Sequence, residues 1–171
     1  MKVLFEVNKQ ESERLIFRDL QEDDAKKLFE IYSDKEAMKY RYNKPMTMLE
    51  DARNFIRNQK KEQENHITIR KGVELKAQNE LIGSVMYKYN KEIDTECIIG
   101  YSIGSFFWNR GLGREIVHFL VEELKGQSKI KIIKAWTIKE NIGSNRILEL
   151  NGFKQICQED FADSYLYLKK I

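Results

Sequence analysis

Apolar positions along the chain switch between a helical and an alternating period, and the switches divide it into elements. Arg14-Leu15-Ile16-Phe17-Arg18 reads as a strand. Polar Asp19 to Asp24 then leads into Ala25, Leu28, Phe29 and Tyr32, whose spacing lines one face of a helix. Ser33-Asp34-Lys35-Glu36 is a second capped start, short enough to be a single turn. After Pro45, Thr47-Met48-Leu49-Glu50 spells a capping box. Thr47 would accept from the first helix amides, and Glu50 would reach back to the cap. Leu49, Ala52, Phe55 and Ile56 form that helix's buried face, and Lys60 to Asn65 its solvated end or a loop.

The middle of the chain is strand-like. His66 to Arg70 and Leu81 to Tyr89 favour β-structure, with Lys71-Gly72 and Gln78-Asn79 as turns. Cys97 to Ile103 is a further strand, broken by Gly104 and an aromatic bend. From Leu112 the helical period returns: Ile116, Leu120 and Leu124 form one ridge beside Val117 and Val121, and Gly126 ends it. Ile130 to Ile138 is a strand, Ile142 to Leu150 a short helix with Gly152 as its left-handed cap, and Phe153 to Cys157 with Tyr165 to Leu168 a closing pair. The class is mixed α/β (α+β), a sheet flanked by helices.

Length changes this picture little: 171 residues suit one domain over 1–171, with enough core to need no staple. A formal charge of +3 is weak support for nucleic acid, and the lysines at 125, 129, 131 and 134 come with no aromatic-basic motif. Cys97 and Cys157 have no framework spacing and fit a reducing, cytoplasmic setting. The charged start is no signal peptide, and no window has the length of a membrane span. With only His66 and His118 beside the two cysteines, no metal site is spelled out.

The segment carrying chemistry is Trp108-Asn109-Arg110-Gly111-Leu112-Gly113-Arg114, between a strand and an amphipathic helix. The first turn of a helix leaves amides unpaired and its dipole favours an anion. Glycines allow close approach, and Arg110 and Arg114 add charge, so the segment reads as a pyrophosphate cradle or as an ordinary glycine turn. It matches neither the phosphate-loop nor the three-glycine dinucleotide pattern. Gly100-Tyr101-Ser102-Ile103-Gly104 spells a nucleophile elbow, but the helix starts too late and His118 precedes every later aspartate. Ser102 is thus a strand residue rather than a nucleophile.

Other segments align with this one in order: Glu13 to Arg18, Leu81-Ile82-Gly83-Ser84-Val85, Ile99-Gly100-Tyr101-Ser102-Ile103, Arg110-Gly111-Leu112-Gly113, and Glu140-Asn141-Ile142-Gly143-Ser144 followed by Asn151-Gly152-Phe153. The set resembles the GNAT superfamily of acyl-CoA-dependent N-acetyltransferases, especially its ribosomal-protein N-terminal acetyltransferase-like branch. That resemblance implies a splayed mixed sheet opening a groove for acetyl-CoA, with CoA as product and no metal. Tyr101, Ser102 and Ile103 would face the acyl-pantetheine arm. Asn109, Arg110, Gly111, Leu112, Gly113 and Arg114 would receive the pyrophosphate, and Asn141 the pantetheine region. Trp108 replaces a polar residue common in the broad family; this branch often carries tryptophan there, and the residue either packs beneath the loop or touches the cofactor.

Direct transfer in a ternary complex needs a neutral amine, an oxyanion donor and a proton for the leaving thiolate. The resemblance offers a backbone amide of the Tyr101 to Ile103 strand as donor. Ser144 becomes the acid or water-organising group, or else merely positions the cofactor. The base stays open among Glu96, Glu140 and a water chain, because the position before Ile99-Gly100 is apolar Ile98. Tyr165 and Tyr167 are pocket hydroxyls or packing residues. The acceptor is a protein or peptide N-terminus or a small-molecule amine; the segment from Tyr32 to Met46 either borders its groove or locks the two early helices together through its aromatics. The alternative is a non-catalytic acyl-CoA sensor or interaction module. Phe5, Phe106, Phe107 and the last strands offer apolar material for a homodimer.

Overall fold

The computed structural model describes residues 10–64, 68–89, 92–156 and 163–171. Eight strands, β1 (Gln10–Glu11), β2 (Leu15–Arg18), β3 (Thr68–Leu75), β4 (Glu80–Tyr89), β5 (Glu96–Ile103), β6 (Ile132–Ile138), β7 (Lys154–Ile156) and β8 (Ser164–Lys170), join one sheet. Their order is β1-β2-β3-β4-β5-β6-β8-β7. Neighbours are antiparallel except β5 and β6, which run parallel.

The helices are α1 (Ala25–Ser33), α2 (Lys35–Met38), α3 (Leu49–Glu64), α4 (Leu112–Lys125) and α5 (Ile142–Leu150). Ser84 of β4 meets Tyr32 of α1, while its neighbour Val85 packs in the core beneath α4. Successive strand residues point to opposite sides, so α1 and α3 cover one face of the sheet and α4 and α5 the other. Ile116, Val117, Leu120, Val121 and Leu124 seat α4 in full burial, each stabilising by roughly 1.5–3 kcal/mol over exposure. Phe119 of α4 stacks on Phe17 of β2, with ring centroids 3.8 Å apart. Leu28, Ile31, Tyr32, Ala52 and Ile56 form the smaller core of the opposite face.

Two local expectations are corrected. Lys71-Gly72 is no turn: β3 runs through it, because Lys71 is buried on Asp19 (Nζ to Oδ1, 2.7 Å) and Leu20 and Leu81 fill the space over Gly72. The turn is Lys76 to Asn79, with Asn79 left-handed at φ 49°. The capping box shifts by one residue. Since α3 starts at Leu49, Asp51 holds the third helical position and accepts from the Thr47 and Met48 amides, while Glu50 pairs with Arg53 and Arg57. Thr47 donates its hydroxyl to Asp51 rather than accepting. Lys60 to Glu64 is the last part of α3, and Asn65 and His66 lie outside the described residues.

Phe107 is buried and so belongs to the core rather than to an interface, whereas Phe106 is exposed. Phe5 and Cys157 lie outside the described residues. Lys125, Lys129 and Lys134 each meet a carboxylate, on Glu122, Asp94 and Glu96. Among the described residues no helix is long and apolar enough to cross a membrane.

Candidate active site

The site begins where two strands part. β5 and β6 pair from Glu96 and Ile132 to Ile99 and Ala135, and no further. Yet β5 continues to Ile103 and β6 to Ile138. Beyond Ile99 the strands diverge and a wedge opens between them. The Gly104 amide donates to the Ile82 carbonyl at 2.9 Å, so main-chain groups at even positions face β4. Those of Tyr101 and Ile103 therefore face the wedge. The Ile103 carbonyl accepts from the Trp108 indole at 2.9 Å, which gives Trp108 a structural role at the rim. Tyr40 packs beside that indole, centroids 6.4 Å apart.

At the mouth stands the N-terminus of α4. Its cap is Gly111, left-handed at φ 76°, which supplies no side-chain bond to the first turn. The amides of Leu112, Gly113 and Arg114 thus lack the partners a capping side chain would give. Asn109 is also left-handed at φ 60°, so the loop folds back on itself. Gly113 lets the helix start approach its neighbours: a Cβ there would lie 2.7 Å from Ile147 Cδ1. Arg110 lies over the rings of Phe106 and Phe107, at 4.8 and 5.5 Å, and Arg114 is exposed.

The loop is tied to β2. Arg14 donates from Nη1 to the Arg110 carbonyl at 3.0 Å and from Nε to Glu115 at 2.7 Å. Burial would raise the Glu115 carboxyl, but bonds from Ser12 and from the Arg14 amide and guanidinium outweigh it and hold it low. The acid on the first turn is therefore engaged, leaving the helix end open to another anion.

Across the wedge, Asn141 caps α5, its Oδ1 accepting from the Ser144 amide at 3.1 Å. Asn145 fixes α5 to β6 by accepting from Thr137 at 2.6 Å and donating to the Lys139 carbonyl at 3.0 Å. This aims Ser144 into the wedge, where its hydroxyl lies 2.6 Å from that of Tyr101. Burial pushes the Tyr101 phenol up to about 12, against a smaller opposing pull from Ser144, so it keeps its proton. The pairing of Tyr101 with Ser144 is absent from the sequence reading, since nothing in spacing joins a strand residue to a helix forty residues on.

The expected residues divide into two groups. The structure brings together Tyr101, Ile103, Asn109, Arg110, Gly111, Leu112, Gly113, Arg114, Asn141 and Ser144 around the α4–α5 side of the wedge. Ser102 points to the opposite face, where it is buried and accepts from Arg41. Glu96 is not among them. It lies five residues before Tyr101, roughly 17 Å along the strand, and its carboxylate is bound to Lys134 at 2.5 Å. Glu140 is exposed on the turn before α5, and its charge acts on Tyr42. Tyr167 is a fully buried packing residue that reaches Glu149, at 3.3 Å. Burial pushes the Cys97 thiol up to about 12, so it is inert. Among the described residues no cluster of three His, Cys, Asp or Glu side chains could hold a metal ion.

On the α1–α3 face a loop bridges the wedge, and its role was only broadly foreseen. Arg41 reaches Ser102 on β5, and Tyr42 reaches Ser164 at the start of β8. α2 anchors the loop: its cap Asp34 accepts from the Ser105 hydroxyl, which holds the carboxyl below its ordinary pKa. Trp136, on β6 just past the last paired residue, shares this face and is 37% exposed. No motif marks Arg41 or Trp136; only their positions around the wedge single them out.

Comparison with known proteins bears on this geometry. Residues 14–154 match the acetyltransferase (GNAT) domain family. The chain is 27% identical over 157 residues to a Bacillus subtilis protein named uncharacterized N-acetyltransferase YoaA, covering 92% of this chain and 87% of that one. Among solved structures, a GNAT-family acetyltransferase from Bacillus anthracis superposes with a TM-score of 0.79 at 24% identity, over 95% of this chain and 98% of that one. RimL, a ribosomal alpha-N-protein acetyltransferase, in complex with coenzyme A, superposes with a TM-score of 0.80 at 17% identity, over 94% and 96%. These two likenesses concern the fold.

Proposed function

Because the chain belongs to the GNAT acetyltransferase family and is an acetyl-CoA-dependent N-acetyltransferase, we propose that its wedge performs direct transfer, with cofactor and acceptor entering from opposite faces. The observation carrying this reading is the parting of β5 from β6 after Ile99, with the Tyr101–Ser144 hydroxyl pair spanning the gap. The residues present fit the cofactor. The first-turn amides of α4, with Arg110 and Arg114, suit a diphosphate. The strand edge at Tyr101 and Ile103 suits an amide-bearing arm, because it lacks the partner strand that would have filled it.

Acetyl-CoA supplies the acetyl group as a thioester, whose sulfur must leave as a thiolate and gain a proton. The Tyr101 or Ile103 amide serves as hydrogen-bond donor for charge developing on the carbonyl oxygen. With the thioester bound, Ser144 would hand a proton to the leaving sulfur and regain one from Tyr101, which water would reprotonate with the proton released by the amine; the raised pKa of Tyr101 keeps that phenol protonated between turnovers. The incoming amine loses its proton through water at the mouth beside Glu140; Glu96 is left as an anchor of the sheet. The acceptor is a protein or peptide N-terminus or a small-molecule amine that approaches beneath the Arg41–Tyr42 loop.

Calorimetric titration with acetyl-CoA, CoA and ATP tests the reading. One-to-one binding of the first two but not of ATP, with amine-dependent release of CoA, is expected. A folded sample that binds neither would overturn it.

A further inference from the structure

The arginines of this chain sort by their partners. Arg14, Arg18, Arg53, Arg57 and Arg70 each meet a carboxylate within 4.0 Å. Arg110, Arg114 and Arg146 have no such pair among the described residues; the first two stand at the diphosphate mouth, and Arg146 is exposed on α5. Arg41 has none either, yet it is half-buried on the opposite face of the sheet. Its guanidinium lies over the Tyr32 ring at 4.3 Å, with Nη1 on the Ser102 hydroxyl and Nη2 3.4 Å from the Tyr32 hydroxyl. The Tyr32 hydroxyl in turn lies 2.6 Å from that of Ser84. Hydroxyls and a ring face orient the fork without neutralising it, and three of its five N–H donors have no partner among the described residues.

Resting on the proposed ternary complex, we propose that Arg41 is the acceptor's anion subsite and that the preferred acceptors carry a carboxylate close to the reacting amine. Ser102 adjoins Tyr101 in β5, so a group held on Arg41 is level with the Tyr101–Ser144 pair, on the side from which the amine comes. The opposite flank of the same loop carries the other sign of charge. The phenol of Tyr42 is raised first by burial and then by the charges of Asp163 and Glu140, which places both acids near the loop. Of the neighbouring cationic groups, Lys39 lies over the Tyr40 ring at 5.5 Å and Lys44 is exposed. The loop thus offers a cation beside the strand edge and anions at the rim, complementary to an amine and a carboxylate held near one another. A single guanidinium suits a monoanion in fork geometry; a phosphate monoester, with close to two charges, would call for more cations than this face supplies.

Matched acceptors test the proposal: alanine against alaninamide, and an Asp-Ala amide against an Asn-Ala amide, with rates compared per unprotonated amine. The first pair reads a free α-carboxylate and the second an acidic N-terminal side chain. In at least one pair the carboxylate member is expected to show kcat/KM about tenfold higher or more, the size of a charged hydrogen bond. Arg41→Gln should erase that ratio and Arg41→Lys keep only part of it, since an ammonium lacks the fork. The acetyl-CoA Kd of each variant reports whether the wedge is intact. Equal kcat/KM within both pairs for the unaltered protein, which requires no variant to fold, overturns the proposal. So does a preference that survives Arg41→Gln, or phosphoethanolamine outperforming both pairs. If neutral amines alone release CoA, the subsite falls while the acetyltransfer reading stands; if acetyl-CoA does not bind, both fall.

Discussion

The two faces of the wedge are built from different materials. On the α4–α5 face the groups presented to the wedge are backbone amides at a helix end, a strand edge, and a serine fixed by its own helix cap. On the α1–α3 face they are side chains from a loop that crosses the gap and touches β5 and β8. A backbone site needs a particular local sequence, whereas a side-chain site needs a particular tertiary meeting. The first can keep one invariable cofactor, and the second can be re-cut for each acceptor without disturbing it. Substitutions on the two faces should therefore separate cofactor affinity, chemistry and acceptor choice.

The largest effect is expected at the hydroxyl pair. Ser144→Ala should lower kcat at saturating acetyl-CoA by about a hundredfold, with little change in cofactor affinity, if the serine hands on a proton. A loss confined to the acetyl-CoA Kd would instead make it a positioning group. Tyr101→Phe should act in the same direction with a smaller loss, because Ser144 and water remain. The pH dependence has a definite sign. The Tyr101 phenol is raised from 10.0 to about 12, so it stays protonated throughout the ordinary assay range and adds no falling limb to kcat until pH nears 12. The stability tied to its neutral form is complete below about pH 10 and is lost as pH rises through the folded value. A limb that falls between pH 8 and 10 and disappears in Tyr101→Phe would contradict this.

Next comes the phosphate cradle. Gly111→Val places a β-branched residue at φ 76°, a conformation that costs an ordinary L-residue about 1–2 kcal/mol. Its neighbour Arg14 lies 3.5 Å from the added carbon, so space is not the obstacle and backbone strain is. Acetyl-CoA affinity should fall roughly tenfold to thirtyfold as the loop shifts to relieve that strain. Unchanged affinity by calorimetry would show that the diphosphate does not use this turn.

The contrast between faces also explains what the sequence made legible. Gly111, Gly113, Asn141 and Gly152 announce themselves because each has a local job: a positive φ, a close approach, or a helix cap. α4 is as plain, since its apolar ridge has the helical period from Ile116 to Leu124. The Lys71-Gly72 pair misled because its turn-like composition is overridden by an ion pair to Asp19 and by side chains packed over the glycine. Glu96 misled in another way. Alternation does put it on one strand face with Ile98, but only the register with β6 reveals that it lies at the closed end of the wedge, facing Lys134. Arg41 is legible only as part of the Tyr32 to Met46 segment for a similar reason: its own role emerges only when the fold sets it against Ser102 and Tyr32.

Glu96→Gln makes that distinction measurable. Removing the carboxylate leaves Lys134 facing a neutral amide at a largely buried site, which should cost roughly 2 kcal/mol of stability, less than in a fully buried pair because the lysine is partly exposed. kcat/KM is expected to stay within about twofold of the unaltered protein once folding is complete, a change too small for a general base. A loss of about a hundredfold or more, with the fold intact, would return Glu96 to the reaction.

The smallest effect is the most specific to the acceptor face. Tyr42 is 70% exposed and its hydroxyl contacts that of Ser164, so Tyr42→Phe removes one surface hydrogen bond and leaves the ring. Such a bond contributes about 0.5–1.5 kcal/mol. If the loop's crossing to β8 shapes the acceptor's entrance, KM for the amine should rise about twofold to fivefold, with kcat nearly constant and the acetyl-CoA Kd unchanged. The same substitution altering the cofactor Kd would mean that the loop's attachment reaches through the sheet, and that the two faces are coupled rather than independent. Constancy of all three parameters would restrict recognition to the β5 side of the loop, where Arg41 stands.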